Sequence, residues 1–269
     1  MLITYKGMAM GQMLMAKGEA DIVRESKTRM AMLKADEVYA CHKKITDVFP
    51  SSAWQGKRCF IIGGGESIKG IDFNRLKGEH VIGVNRSFEF VDTEILFLMD
   101  IKFHDEVTKG TLNEYTKKDV KKKWDEFKGV KVLLCPVSPY PLDSTIHMVR
   151  RIERKYVSLD ISEGVYGGSN SGFGALMLAI AMGANPIYLL GYDLRVEHFT
   201  HWHSGYPKQT YYEQKEKTIR FRDGFMEFSK TIKSLGFNVV NLFRDSGINC
   251  FEFDDIDAVL PKTKVEMKP

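Results

Sequence analysis

The chain lacks any Cys-x-x-Cys pair, and its four cysteines, Cys41, Cys59, Cys135 and Cys250, lie far apart. That excludes a disulfide framework and favours a reduced, cytoplasmic setting. Cys59 and Cys135 fall inside apolar runs, where a thiol behaves as a small hydrophobe. No apolar run reaches the roughly 20 residues that span a bilayer, so a transmembrane segment is not expected. The Met-rich start, 1–17, is interrupted by Gly7 and Gly11, which argues against a cleaved leader. An excess of one charge is also missing: 39 Lys and Arg face 35 Asp and Glu, for a net charge of +4. Charge alone therefore gives no nucleic-acid signal. The densest basic run, 117–123, is followed by Trp124-Asp125-Glu126 and reads as a solvated helix face, with a phosphate-backbone contact as the sharper alternative. No internal repeat or low-complexity segment occurs.

What is present is an ordinary globular composition, 43% apolar and 28% charged, in 269 residues, enough for one large core or two modest ones. Residues 18–48 carry Ile22, Met30, Leu33, Val38 and Ile45 among charged positions at helical spacing, and Pro50 ends the run. A long helix is expected there, within an N-terminal extension, 1–52, that is not needed to build the rest and offers a surface for homo-oligomer formation. Six mostly continuous apolar runs follow as strand candidates: 58–62, 80–84, 95–99, 130–135, 187–190 and 238–241. Continuous runs suit strands covered on both faces. Helical stretches are expected at about 111–127, 142–154, 171–183 and 211–235. Alternating strands and helices imply right-handed crossovers. The expected fold class is α/β: a mainly parallel, Rossmann-like sheet with helices on both faces over 53–269, preceded by the N-terminal helix. The segment 192–212 lacks apolar periodicity and reads as a functional lid.

Small and polar residues gather at the ends of these strands, where open α/β sheets bind ligands. Gly63-Gly64-Gly65-Glu66-Ser67 is a strand-to-turn segment in which backbone N–H groups can approach an anion. It is neither a complete Gly-x-Gly-x-x-Gly fingerprint, since position 68 is Ile, nor a Walker loop. Ser67 is a cap or a phosphate donor. Asn85 can pair with a base or sugar edge and Arg86 with a phosphate; the alternative is a plain turn. Asp100 suits a ribose hydroxyl, a metal or a helix cap. Ser169, Asn170, Ser171 and Gly172 open an apolar helix, so they form an anion site or a simple N-cap. Asp193 follows the 187–190 run and can position a hydroxyl, an amine or a metal. His198, His201 and His203 cluster in the lid; a general base is the first reading, zinc the competing one, and a surface cluster the third. Tyr206, Tyr211 and Tyr212 can bond a departing phosphate or simply pack a helix.

Taken in order, Gly63-Gly64-Gly65-Glu66-Ser67-Ile68-Lys69-Gly70-Ile71-Asp72, Val84-Asn85-Arg86, Asn170-Ser171-Gly172 and Ile187-Tyr188-Leu189-Leu190-Gly191-Tyr192-Asp193-Leu194 resemble the bacterial sialyltransferases of the bifunctional lipooligosaccharide type. They equally resemble the motility-accessory-factor group, which includes archaeal 6-hydroxymethylpterin pyrophosphokinases. The resemblance covers about 57–245. The first family implies a nucleotide-sugar donor held by the glycine turn, Asn85, Ser171-Gly172 and Asp193, and a carbohydrate acceptor. It implies His201 or His203 as base, tyrosines such as Tyr211 on the leaving phosphate, and no required metal. The second implies Mg²⁺ on carboxylates such as Asp100 and Asp193. The chain departs from the sialyltransferase Gly-Asn-Gly-Pro-Ser turn, with Gly64 and Glu66 at the Asn and Pro positions, which removes one nucleotide-contacting side chain. The expected function is transfer of a sugar from a nucleotide donor, with Mg-dependent pyrophosphoryl transfer or non-catalytic nucleotide binding as alternatives.

Overall fold

A computed structural model describes residues 36–112, 119–135, 142–195 and 211–260. Eight strands form one sheet: β1 (Cys59–Ile62), β2 (His80–Val84), β3 (Ile95–Leu98), β4 (Val130–Leu134), β5 (Ile146–Val149), β6 (Ile187–Leu190), β7 (Val239–Asn241) and β8 (Glu252–Phe253). Their spatial order is β5-β4-β3-β2-β1-β6-β7-β8, and every neighbouring pair is parallel. The chain builds outward from β1 to β5, returns to lay β6 on the other side of β1, and builds outward again. β1 and β6 therefore flank a topological switch point.

The helices follow from that path. Right-handed crossovers place connections on one face while the chain moves in one direction and on the opposite face after it reverses. Helices α1 (Ile101–Thr108) and α2 (Val120–Glu126) connect β3 to β4. Helix α3 (Ser171–Ala181) precedes β6, and α4 (Tyr211–Ser234) lies between β6 and β7. Alternate strand residues point to opposite faces. Ile61, Ile82, Phe97, Val132 and Leu189 pack in one core with nearly all of α3 and with Phe225, Phe228 and Ile232 of α4. On the other face, Phe60, Ile62, Val81 and Leu190 pack with Ile68, Leu76 and Val91. Leu96, Leu98 and Leu133 pack there with Phe103, Val107 and Trp124. Both faces are covered by apolar side chains, which is why most of the strands read as continuous apolar runs.

The structure departs from expectation in several places. The stretch expected as a helix at 142–154 contains β5 instead. Its Ile146, Val149 and Ile152 mimic helical spacing, but Ile146 and Met148 pack as buried strand positions against β4. Helix α1 was not foreseen. Of the long helix expected at 18–48, residues 36–40 are helical and those before 36 lie outside the described residues. From 41 the chain leaves the helix, Lys44 forms a parallel bridge with Met148, and Ile45, fully buried, enters the main core. This part of the extension therefore covers the β5 edge, which would otherwise be an open pairing surface. The described part of the basic run behaves as a solvated face. Asp119 caps α2, while Lys121 and Lys122 pair with Asp125 and Glu126 one turn on. Among the described residues no helix is long and apolar enough to cross a membrane.

Candidate functional site

The loops leaving β1 and β6 are bonded to each other at the switch point. The Gly63 amide donates to Leu190 O at 2.8 Å, carrying the β1–β6 ladder past its last residues. The Gly65 amide donates to Gly191 O, also at 2.8 Å. Gly191 turns there with φ +70°, in the left-handed region that favours glycine. Beyond it, the Asp193 carboxylate accepts from the Ser67 amide at 2.9 Å and from the Ser67 hydroxyl. A Cβ on Gly65 would lie 2.2 Å from Asp193 Oδ1 and 2.7 Å from Gly191 O, so this approach requires glycine. The backbone of the β6 loop also holds the loop after β7. Gly247 donates to Asp193 O at 2.7 Å and the Ser246 hydroxyl to Tyr192 O at 2.6 Å. Glu66, within the turn, directs its carboxylate to Lys69.

Tyr192 carries the link to α3. Its ring is buried between two glycines: a Cβ on Gly63 would meet Cε2 at 3.1 Å, and one on Gly172 would meet Cε1 at 3.0 Å. The glycine turn and the N-terminus of α3 are thus one aromatic ring apart. The Tyr192 hydroxyl donates to Gly172 O at 3.0 Å, and burial drives its phenol pKa well above the ordinary range. Asn170 caps α3 by accepting from the Phe173 amide at 2.8 Å, and its Nδ2 donates to Phe221 O of α4 at 3.1 Å. Ser169 donates to Arg220 O at 2.9 Å. These two side chains anchor α4 over the start of α3. The Ser171 hydroxyl has no partner among the described residues and sits in the first turn, where the helix dipole favours an anion.

Asn85 stands at the end of β2, next to β1, with φ +52°, a conformation that asparagine tolerates. Its Oδ1 is buried without a partner. Arg86 is placed differently from expectation. It is buried, and its Nε pairs with Glu89 inside the 3₁₀ turn Asn85–Glu89. Asp100, at the end of β3, is exposed and caps α1 through the Lys102 amide at 2.9 Å. Tyr211 begins α4 and is half-exposed. It precedes Arg220 by nine residues, about 14 Å along the helix from the contact with Ser169. His198, His201, His203 and Tyr206 lie outside the described residues. Among the described residues no group of three or more His, Cys, Asp or Glu side chains is placed to hold a metal ion.

Sequence reasoning missed Tyr192 and Gly191 as the pieces that join the turn to α3. Their signal was the glycine immediately after an apolar strand, in Leu190-Gly191-Tyr192-Asp193.

No protein-family model matches the chain, and no curated protein matches it significantly. Among solved structures the chain is similar to the sialyltransferase CstII from Campylobacter jejuni in complex with the substrate analogue cytidine-5'-monophosphate. The identity is 17% over 74% of this chain and 85% of that one, with a TM-score of 0.42. CstII in complex with the analogue CMP-3FNeuAc matches at 16% identity over 73% and 86%, with a TM-score of 0.39. A CST-II complex with a trisaccharide acceptor and CMP matches at 17% over 73% and 85%, with a TM-score of 0.39.

Proposed function

We propose that the protein is a glycosyltransferase-like enzyme that holds a nucleotide-sugar donor in the β1–β6 crevice and moves the sugar to an acceptor hydroxyl. The observation that carries this reading is the convergence at Tyr192, which sets the Gly63–Gly65 turn and the N-terminus of α3 on two edges of one ring. In this reading the Ser171 hydroxyl and the first amides of α3 face the donor phosphate. Negative charge grows there as the glycosidic bond breaks, and preorganised donors stabilise it. The unpartnered Asn85 Oδ1 receives a donor from the nucleoside. Asp193 acts on the turn rather than on the ligand, because its carboxylate is engaged by Ser67. His201 or His203 removes the acceptor proton, Tyr211 assists the departing phosphate, and the scheme requires no metal.

The test is a panel of nucleotides read by thermal stabilisation. A ligand at 100 times its Kd adds about 2.7 kcal/mol of stability. Stabilisation by cytidine phosphates without magnesium, followed by sugar transfer from a cytidine-linked donor, is expected. A response to adenosine triphosphate with magnesium and to no cytidine phosphate would move the protein to pyrophosphoryl transfer. No specific observation favours that second reading: Asp100 accepts from the Lys102 amide of its own helix, and Asp193 from the Ser67 amide and hydroxyl of the β1 loop.

A further inference from the structure

The carboxyl edge of the sheet holds a cavity at its β4–β5 end. β4 runs out at Cys135 and β5 at Arg150, and a cavity of about 640 Å³ opens beyond them. Four strand positions separate β5 from β1, so at about 4.8 Å per strand this cavity lies roughly 20 Å from the β1–β6 crevice. One small molecule does not fill both.

Four cationic side chains line the cavity: Arg150, Arg151, Arg154 and Lys155. Two are already neutralised. Arg150 pairs with Asp36 at 2.7 Å and lies over the Tyr39 ring, 5.0 Å from its centroid. Lys155 pairs with Glu227 of α4 at 2.9 Å. The other two are not. Arg151 is half-buried and donates through Nε to Cys135 O at 3.0 Å, which fixes its plane and leaves both Nη groups without a partner among the described residues. Burial pulls the Arg151 pKa down, and Glu153 opposes this from beyond ion-pair distance. Arg154 is exposed and has no partner among the described residues. The remaining wall comes from Ile152, the Tyr156 ring, the buried Cys135 and the aliphatic stems of the arginines, with two carboxylates in the lining, Asp36, which Arg150 neutralises, and Glu153.

A guanidinium fixed at Nε, with its other donors unsatisfied, has the geometry for a planar oxyanion, and the apolar wall suits the carbon frame that carries it. We propose that this cavity is an anion-binding site for a carboxylate or phosphate group carried on a small organic scaffold, with Arg151 and Arg154 as its ligands. The site is independent of the catalytic reading of the crevice.

The probes are glucuronate, glucose 6-phosphate and inorganic phosphate, with glucose as the uncharged control, titrated calorimetrically into the full chain. At least one of the two sugar anions binds, and glucose does not. Arg151→Met weakens that binding about tenfold or more, the scale of a lost charge-assisted pair. Arg154→Ala weakens it severalfold and, being an exposed change, leaves the melting temperature unaltered, so it decides the matter if Arg151→Met fails to fold. Preference between glucuronate and glucose 6-phosphate assigns the anion as carboxylate or phosphate. Ser171→Asp, in the crevice, leaves this binding unchanged, which separates it from the reading above. The proposal is overturned if neither sugar anion binds, if glucose binds equally well, if the Arg variants bind as the wild type does, or if Ser171→Asp abolishes the binding.

Discussion

Replacing Asp193 tests the clamp that shapes the crevice. Its carboxylate takes two hydrogen bonds from Ser67 across 126 positions of sequence. A hydrogen bond to a charged group contributes about 1.5–3 kcal/mol. Ser67 is only half-buried, so water partly replaces what Asp193→Ala removes. A loss of roughly 2–3 kcal/mol follows, or about 5–10 °C in melting temperature for a chain of this size. Asp193→Asn keeps an acceptor for the Ser67 amide, and the hydroxyl can turn to accept from the new NH₂, so it costs about 1 kcal/mol. The sharper readout is coupling to Gly65. Gly65→Ala forces a methyl into Asp193 Oδ1 and Gly191 O, an overpacking cost of about 1–3 kcal/mol. In the Asp193→Ala background only the Gly191 contact remains, so the cost of Gly65→Ala falls by roughly 0.5 kcal/mol or more. Urea unfolding followed by circular dichroism, at constant m, measures all four corners of the cycle. An Asp193→Ala protein within about 0.5 kcal/mol of wild type, or a Gly65→Ala cost equal in both backgrounds, would refute the clamp.

Three further outcomes follow from the packing. Burial holds the His104 imidazole below its usual 6.5, against Asp143 and Asp105. The unfolded chain therefore takes up that proton first as pH falls, and stability, full above about 6.5, declines below it. His104→Gln should flatten the stability slope between about pH 7 and 5, and an unchanged slope would contradict this. Ile45 is fully buried in the main core, so Ile45→Ala should lower stability by about 2–4 kcal/mol in chemical denaturation, and a loss under about 1 kcal/mol would contradict its place there. Cys41 is exposed, while burial pushes the Cys135 thiol up to about 11 and also raises the thiol of Cys59, which is fully buried in β1. A thiol reagent near pH 8 should therefore modify Cys41 first and Cys59 last, as peptide mapping will show.

The sheet was legible wherever both faces of a strand are buried: β1, β2, β3 and β6 leave mostly continuous apolar runs, β4 is interrupted only by the buried Lys131, and β7 shows as Val239-Val240 between two asparagines. β5 and β8 were not. β5 lies near the sheet edge with His147 half-exposed, and its apolar residues satisfy a helical spacing as well as a strand one. β8 is two residues long, too short for any period. The ends of the strands were legible as places where glycine and polar residues collect, but the roles of those residues were not. Ser67 and Asp193 are each unremarkable in sequence, and only the β1–β6 register brings them together. Arg86 and Glu89 stand three apart, but that they bury each other depends on the 3₁₀ turn after β2. Tyr192 carries no motif of its own; its place between Gly63 and Gly172 comes from the crossing of α3 over the sheet.

The most direct measurement is calorimetric titration of cytidine 5'-monophosphate into the wild type and into Ser171→Asp. An aspartate in the first turn of α3 complements the helix dipole by about 0.3–1 kcal/mol, so the variant should melt no lower than the wild type. The same charge repels a phosphate, so affinity should fall about tenfold or more. Loss of nucleotide affinity in a protein of undiminished stability is the expected result. Equal affinity in both proteins, or no binding of any nucleoside phosphate to the wild type, would contradict the placement of the donor at the start of α3.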